Sequence, residues 1–293
     1  MNAQSTNLSA GIFFGVLGML GFSGTLVATR TAVFDFSPLD ITSARIVMAG
    51  LLGAIFLVLS RQTRFPERRF VLPIIVMGLG LAVGYPFFLA LALEKVPAVH
   101  GAVVTGLAPA ATAIIAVVRT GERPSIAFWT ASIVGFCAVF YFAYDAGGGH
   151  LSLSDGWLLL GMLSLGVAYV EGGRVSREIG GTATLSWAML FLTPAAIVPL
   201  LVRAREIDIE AVAASSWISL AYLGIVSMFL ASVFWYRGLS LGGIARIGQI
   251  NLLLPLVALA WSALFLGEEI TATAFACSII VLAAMIVCLR SRT

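Results

Sequence analysis

Ten apolar runs, each long enough to cross the hydrocarbon core of a bilayer, leave this chain few ways to fold. A helix rises 1.5 Å per residue, so roughly 20 apolar residues span ~30 Å of hydrocarbon. The runs fall near residues 9–29, 38–60, 71–94, 97–118, 125–144, 156–175, 183–202, 216–238, 243–266 and 270–289. A membrane barrel would instead read as shorter stretches of alternating polarity. The connections are short and carry Pro, Gly or charge, as at Arg64-Phe65-Pro66-Glu67 and Gly147-Gly148-Gly149. Hydrophobic residues make up 60% of the chain, charged residues 11%, and mean hydropathy is +1.04, which leaves no polar block for a separate soluble domain. The expected class is an all-α integral membrane protein with the lipid bilayer as its surroundings.

Charge placement sets the expected orientation. The pI near 9.0 does not mark a nucleic-acid partner, because the basic residues sit in short loops between apolar runs. The N-terminal stretch MNAQSTNLSA has no positive n-region, and the run after it exceeds a signal-peptide core, so it reads as the first span. With the N-terminus inside, eleven arginines fall on the inner side: Arg61, Arg64, Arg68, Arg69, Arg119, Arg123, Arg174, Arg177, Arg237, Arg290 and Arg292. Only four basic residues, Arg30, Lys95, Arg203 and Arg205, fall outside. The positive-inside rule therefore predicts two cytoplasmic termini in an inner membrane.

An internal echo organises the spans. The segment Gly242–Glu268 has a Pro near its centre and ends in Gly-Glu, and so does Val96–Glu122. Pro109 matches Pro255, Gly121 matches Gly267 and Glu122 matches Glu268, each at a shift of 146 (255 − 109, 267 − 121, 268 − 122) in a chain of 293. The same shift relates Gly15 to Gly161, Phe88 to Phe234 and Leu107 to Leu253. Residues 1–146 and 147–293 are thus expected to form two five-helix repeats. Five is odd, so the second half enters the membrane from the opposite side, the inverted-repeat plan of secondary transporters with their site at the midplane. The pairs Gly11/Gly15, Gly80/Gly84 and Gly106/Ala110 fit close helix approach. Pro86, Pro109, Pro194 and Pro255 lie inside spans and can kink them, which fits hinges and static bends alike.

The motifs resemble those of the drug/metabolite transporter superfamily, specifically its ten-helix EamA-type members. The resemblance rests on the doubled Pro…Gly-Glu pattern, on Pro38 through Ala44-Arg45 in the second span, on Phe22-Ser23-Gly24-Thr25 in the first, and on Ala168-Tyr169-Val170…Arg174 in the sixth. The first span carries Phe where the family has Trp, and Leu165-Gly166 stand where the sixth span often has an aromatic. The resemblance covers essentially the whole chain. It implies a carrier, often an exporter, of small metabolites, and among these the chain looks most like bacterial exporters of aromatic amino acids. The first span lacks the carboxylate that small multidrug members use for proton-coupled export.

Ionisable groups at membrane depth are functional candidates by default. Of the fourteen acidic residues only Glu171 falls inside a span, and Arg174, three residues on, shares its face and can pair with it. Arg45 lies seven residues into the second span, where outward snorkelling and substrate contact both fit. Arg246 opens the ninth span and corresponds to His100 in the fourth (246 − 100 = 146). The two would meet a substrate carboxylate from opposite surfaces, or Arg246 would anchor at the interface. The neutral midplane candidates for substrate contact are Ser23, Thr25, Tyr85 and Thr105 in the first half and Ser164, Tyr169, Trp235, Gln249 and Asn251 in the second, with Pro109 and Pro255 as gating positions. This lining suits a neutral or zwitterionic solute with an apolar body. A sugar phosphate would call for clustered cations, and the chain has a single Lys. No cofactor and no metal is expected, since the only other His is His150 in a loop. An intramembrane enzyme would need a nucleophile–base pair or an HExxH helix, and a channel would need filter loops or charged rings. The expectation is a transporter working as a monomer on a small-molecule substrate.

Overall fold

The computed structural model describes residues 8–120, 125–203, 208–242 and 247–290. Gly121, Glu122 and Arg246 lie outside the described residues, as do the side chains of Pro109 and Gln249. Every regular element among the described residues is helical. In chain order they begin with α1 Leu8–Ser23, α2 Thr25–Ala32, α3 Pro38–Leu59, α4 Arg68–Gly78, a π-helical stretch Leu79–Gly84, and α5 Tyr85–Leu93. Then come α6 Ala98–Thr105, α7 Ala108–Thr120, α8 Ile126–Ala146, α9 Leu153–Ile179 and α10 Gly181–Arg203. The last part holds α11 Ala214–Ala221, a second π-helical stretch Tyr222–Leu230, α12 Ala231–Gly242, a 3-10 helix Gly248–Leu253, α13 Leu254–Leu266 and α14 Ala272–Arg290.

Among the described residues, seven helical stretches are long and apolar enough to cross a membrane, and an eighth consists of α6 and α7 bent by 46°. Two shorter apolar helices, Ile250–Leu266 and Ala272–Cys288, complete the chain. The expected ninth span, 243–266, is therefore not one continuous α-helix. Pro255 has no N–H to give the Asn251 carbonyl, and the Leu254 amide, three residues on, takes that carbonyl instead. A 3-10 turn results. The same chemistry breaks the fourth span: Pro109 has no N–H for Thr105, and the Gly106 and Leu107 amides fall back on Val103 and Val104. Pro86 likewise leaves the Ala82 carbonyl without its donor, and one residue earlier the Tyr85 amide reaches five back to Gly80, the π pattern.

No proline follows the second π stretch. Ser232 stands 146 residues after Pro86 (232 − 86), and its hydroxyl donates to the carbonyl four back, Met228, at 3.0 Å. Such back-bonding competes for the helical acceptor and bends helices. One expected connection nearly vanishes: α9 runs to Ile179 and α10 starts at Gly181, joined by Gly180 at φ +86°, a left-handed conformation that glycine adopts without strain.

Packing pairs helices from the two halves of the chain. The α1 helix lies on α12, α3 on α10, α8 on α14, and α9 on α5 and α7. The expected small-residue pairs lie at these seams. A Cβ on Gly11 would sit 2.6 Å from the backbone nitrogen of Gly242, and Gly80 faces the backbone of Ser164 and Ala168. Small residues at such crossings let dispersion contacts form in lipid, where helices gain little hydrophobic drive from association. One buried cluster centres on Leu93, Val103, Phe142 and Leu259 and a second on Met77, Leu185 and Met189.

Gly11→Val should lower stability by about 1–3 kcal/mol, the usual cost of overpacking. Gly173→Ala, with nothing within 4 Å of the added carbon, should stay within about 0.5 kcal/mol. Thermal unfolding of the two purified variants checks both.

Candidate functional site

The interrupted helices converge on a cavity of about 290 Å³. Phe22, Ser23 and Thr25 reach it from the α1–α2 break, Leu81 from the first π stretch and Tyr85 from the start of α5. Thr105, Ala108 and Thr112 flank the α6–α7 break. Ser227 and Met228 come from the second π stretch and Ser232 from the start of α12, and Asn251 comes from the 3-10 segment and Leu254 and Pro255 from the start of α13. Leu165 and Tyr169 of α9 and Arg45 of α3 close the wall, while Phe128, Met285 and Cys288 line one end. Each helix interruption thus contributes lining residues, as expected where irregular backbone at membrane depth must face a cavity or protein rather than lipid.

Hydrogen-bond directions give the cavity a polarity that its composition hides. The Ser23 hydroxyl donates to Leu20 O at 2.8 Å while accepting from the Trp261 indole at 2.8 Å. Thr25 Oγ1 donates to Phe22 O at 2.6 Å and lies 2.7 Å from Ser227 Oγ. A hydroxyl has one proton, so Ser227 is the donor in that second bond. Thr105, Thr112 and Ser232 donate to carbonyls three or four residues back. These six serine and threonine hydroxyls therefore have their protons engaged and keep oxygen lone pairs for the lumen, and the phenols of Tyr85 and Tyr169 are the other two hydroxyls of the lining. The buried Asn251 Oδ1 has no partner either.

Arg45 is the one charged side chain among these lining residues. It is 2% exposed, and neither its Nε nor its Nη1 meets a hydrogen-bond acceptor. The structure thereby decides against snorkelling. Leaving a buried charge uncompensated costs on the order of several kcal/mol.

One end of the bundle is cross-linked and contributes nothing to the lining. Gly267 ends α13 in the left-handed conformation at φ +65°, with Glu268 N–H reaching back to Ser262 O. That turn presents the Glu268 carboxylate to the start of α6, where it accepts from Ala98 N at 2.9 Å and Val99 N at 2.8 Å. Nearby, His100 Nε2 lies 2.6 Å from Asp155 Oδ1, Arg203 Nε 2.9 Å from Asp40 Oδ1, and Arg30 donates to Leu93 O. At the other end Arg119 and Arg174 both donate to the buried Glu171.

Of the residues expected at the site, Ser23, Thr25, Tyr85, Thr105, Tyr169 and Asn251 line the cavity, with Arg45 and Pro255. His100 does not: it packs on Phe142 and pairs with Asp155, which also caps α9 through Ser152. Ser164 lies against Gly80 and Gly84 and donates to Leu160 O, a packing role. Trp235 stands behind Phe22 with ring centroids 6.4 Å apart. The expected Glu171–Arg174 pair is present at 3.3 Å, but its closer partner is Arg119 from α7, which spacing along one helix has no means to reveal. Ser227, Ser232 and Thr112 also line the cavity, and one hydroxyl in an apolar run carries no signal in sequence until the turn that aims it is known. No cluster of three metal-ligating side chains occurs among the described residues.

A family model described as EamA-like transporter matches this chain twice, over residues 9–144 and 152–290. An uncharacterized transporter of Bacillus subtilis (strain 168), YdeK, is 40% identical over 256 residues, 87% of this chain and 88% of its own. An uncharacterized transporter of Archaeoglobus fulgidus is 23% identical over 268 residues, 90% and 93% of the two chains. A protein solved by crystallography at 18% identity has the same fold, with a TM-score of 0.64 covering 95% of this chain and 98% of its own.

Glu268→Ala removes both acceptors from the α6 N-terminus and should cost about 0.5–2 kcal/mol, as loss of a helix cap does. Glu268→Gln keeps one oxygen and should cost less. Thermal unfolding of the three proteins side by side measures the difference.

Proposed function

The chain belongs to the EamA-like transporter family, and on that footing we propose a ten-helix secondary transporter that exports small metabolites, aromatic or hydrophobic amino acids first among them. The observation that carries the reading is the position of the cavity, where the interrupted helices of both halves meet. A membrane-embedded cavity bounded by broken helices is how carriers hold a solute at mid-depth. The mechanism is alternating access, with the two halves, 1–146 and 147–293, rocking about the bound solute. The protein is then a carrier and not an enzyme.

Ten spans follow if the bent α6–α7 pair counts as one and the two shorter C-terminal helices each cross once. The two-half reading draws support from recurring local structure. The π stretch at 79–84 shifts by 146 onto 225–230, inside the second π stretch, and the breaks at Pro109 and Pro255 keep the same spacing. The double match of one family model to residues 9–144 and 152–290 fits as well. The packing of α3 on α10 and of α8 on α14 joins helices that the same shift relates. In the inner membrane, with both termini cytoplasmic, the stitched end bearing Glu268 and His100 faces out. The cavity then extends towards Phe128 and Cys288 on the inner side, a state ready to load from the cytoplasm.

Among rival cargoes, a cationic toxicant fits poorly, because an uncompensated guanidinium repels it. A nucleotide-derived anion would want more than one cation in the wall. Proteoliposome flux of labelled phenylalanine, tryptophan, threonine and a nucleotide sugar tests the reading. Saturable counterflow is expected for the aromatic amino acids, with Tyr85→Ala lowering it at least fivefold and His100→Ala leaving the KM within twofold. Absence of amino-acid counterflow rules out the cargo, and unaltered flux in Tyr85→Ala removes the cavity from the path. Repeating the flux with and without a pH gradient reads the coupling.

A further inference from the structure

We infer that Arg45 is the anchor for a carboxylate on the cargo, with the acceptor oxygens of Ser23, Thr25, Ser227 and Asn251 receiving the cargo's ammonium group. The inference rests on the transporter reading above and narrows it to amphiphiles bearing a carboxylate at one end.

The charge comes first. Arg45 is buried at membrane depth, borders the cavity, and has no hydrogen-bond or ion-pair partner among the described residues. Arginines inside membrane proteins pair with carboxylates, backbone carbonyls or a water-filled path. Elsewhere among the described residues the chain observes this rule: Arg203 meets Asp40, Arg119 and Arg174 meet Glu171, and Arg30 meets the Leu93 carbonyl. Arg45 has no such partner among the described residues and faces the cavity instead. The missing counter-charge is one that the cargo brings, and a planar guanidinium matches the two oxygens of a carboxylate.

Donor accounting supplies the other half. Ser23, Thr25 and Ser227 have engaged their protons, as derived above, so what they offer a solute is lone pairs. Asn251 Oδ1 adds an acceptor without a donor. Acceptors suit an ammonium, which carries three donors and no acceptor. With no carboxylate in the described lining, that ammonium is held by neutral oxygens. A free amine lacking the carboxylate would face Arg45 uncompensated. The arrangement selects zwitterions and organic acids against amines of the same shape.

Four probes of one shape test this: L-phenylalanine, 3-phenylpropionate, phenethylamine and phenylalaninamide. Leucine and its desamino acid are added in case the aromatic body is wrong. Equilibrium binding to the purified full chain and counterflow in proteoliposomes are read in parallel for wild type, Arg45→Gln and Arg45→Lys. Carboxylate-bearing probes should bind at least tenfold more tightly than the amine and the amide. Arg45→Gln should erase that preference and Arg45→Lys should restore part of it. The empty Arg45→Gln protein should melt no lower than wild type, since it is relieved of an unpaired charge.

The inference falls if phenethylamine binds as tightly as phenylalanine, if no carboxylate probe binds wild type, or if Arg45→Gln keeps full affinity for phenylpropionate. It also falls if Arg45→Gln melts lower than wild type while Arg45→Lys binds as wild type does, which would make Arg45 a folding residue. Arg45-dependent binding of carboxylates without amino-acid flux upholds it and removes the amino-acid cargo. Phenylalanine flux with an unchanged KM in Arg45→Gln does the reverse.

Discussion

A peptide group in hydrocarbon has no water to bond, and leaving one unsatisfied costs several kcal/mol. That constraint makes every described regular element of this chain a helix and dictates where the helices can be interrupted. Gly24, the two π stretches, the Gly106–Leu107 turn and the 3-10 segment at Gly248–Leu253 all adjoin the cavity. At Pro109 and Pro255 the interruption follows from a missing N–H, and the carbonyls that lose their helical donors belong to Thr105 and Asn251, both in the cavity wall. The device that breaks the helix and the device that lines the site are one residue pair, repeated once at a spacing of 146.

Interruption weakens a helix, and the surrounding packing has to compensate. Glycine does this at α1 on α12 and at the first π stretch on α9, where backbones come close enough that no side chain would fit between. Close approach raises dispersion contact per residue, the main attraction left between helices in lipid. The ionised side chains act at the two ends. Glu268 ties α13 to α6 at one, and Glu171 ties α7 to α9 at the other, so the broken spans are held at their ends and free of ion pairs at their centres. A lumen bounded by apolar and neutral polar groups results, with Arg45 as the charged exception.

The spans were readable because about 20 consecutive apolar residues admit few other structures in water or lipid. The Pro, Gly and Gly-Glu signals were readable for a similar reason: a missing N–H and a missing Cβ act locally, whatever surrounds them. Side-chain partners were not readable on those terms. Helical spacing pairs Glu171 with Arg174, and its nearer partner Arg119 arrives from another helix. His100 was set against Arg246 through the repeat, yet in space it meets Asp155, 55 residues away in the chain. Ser227 and Ser232 are not legible in the apolar run because a π turn holds an extra residue, and each residue rotates the following face by about 100°.

By itself, then, the sequence determined an all-α membrane chain, the helix breaks next to Pro86, Pro109 and Pro255, and the small residues at the seams, since each of these follows from backbone chemistry within a few residues. The Gly24 break, the second π stretch and the unbroken helix through Pro194 do not. Only the tertiary structure decided which way Arg45 points, where the hydroxyl protons go, and which end of the bundle is tied shut. Those depend on distances between residues far apart in the chain. A guanidinium seven residues into a span has one sequence whether it reaches the headgroups or the cavity, and the helices packed around it make the choice.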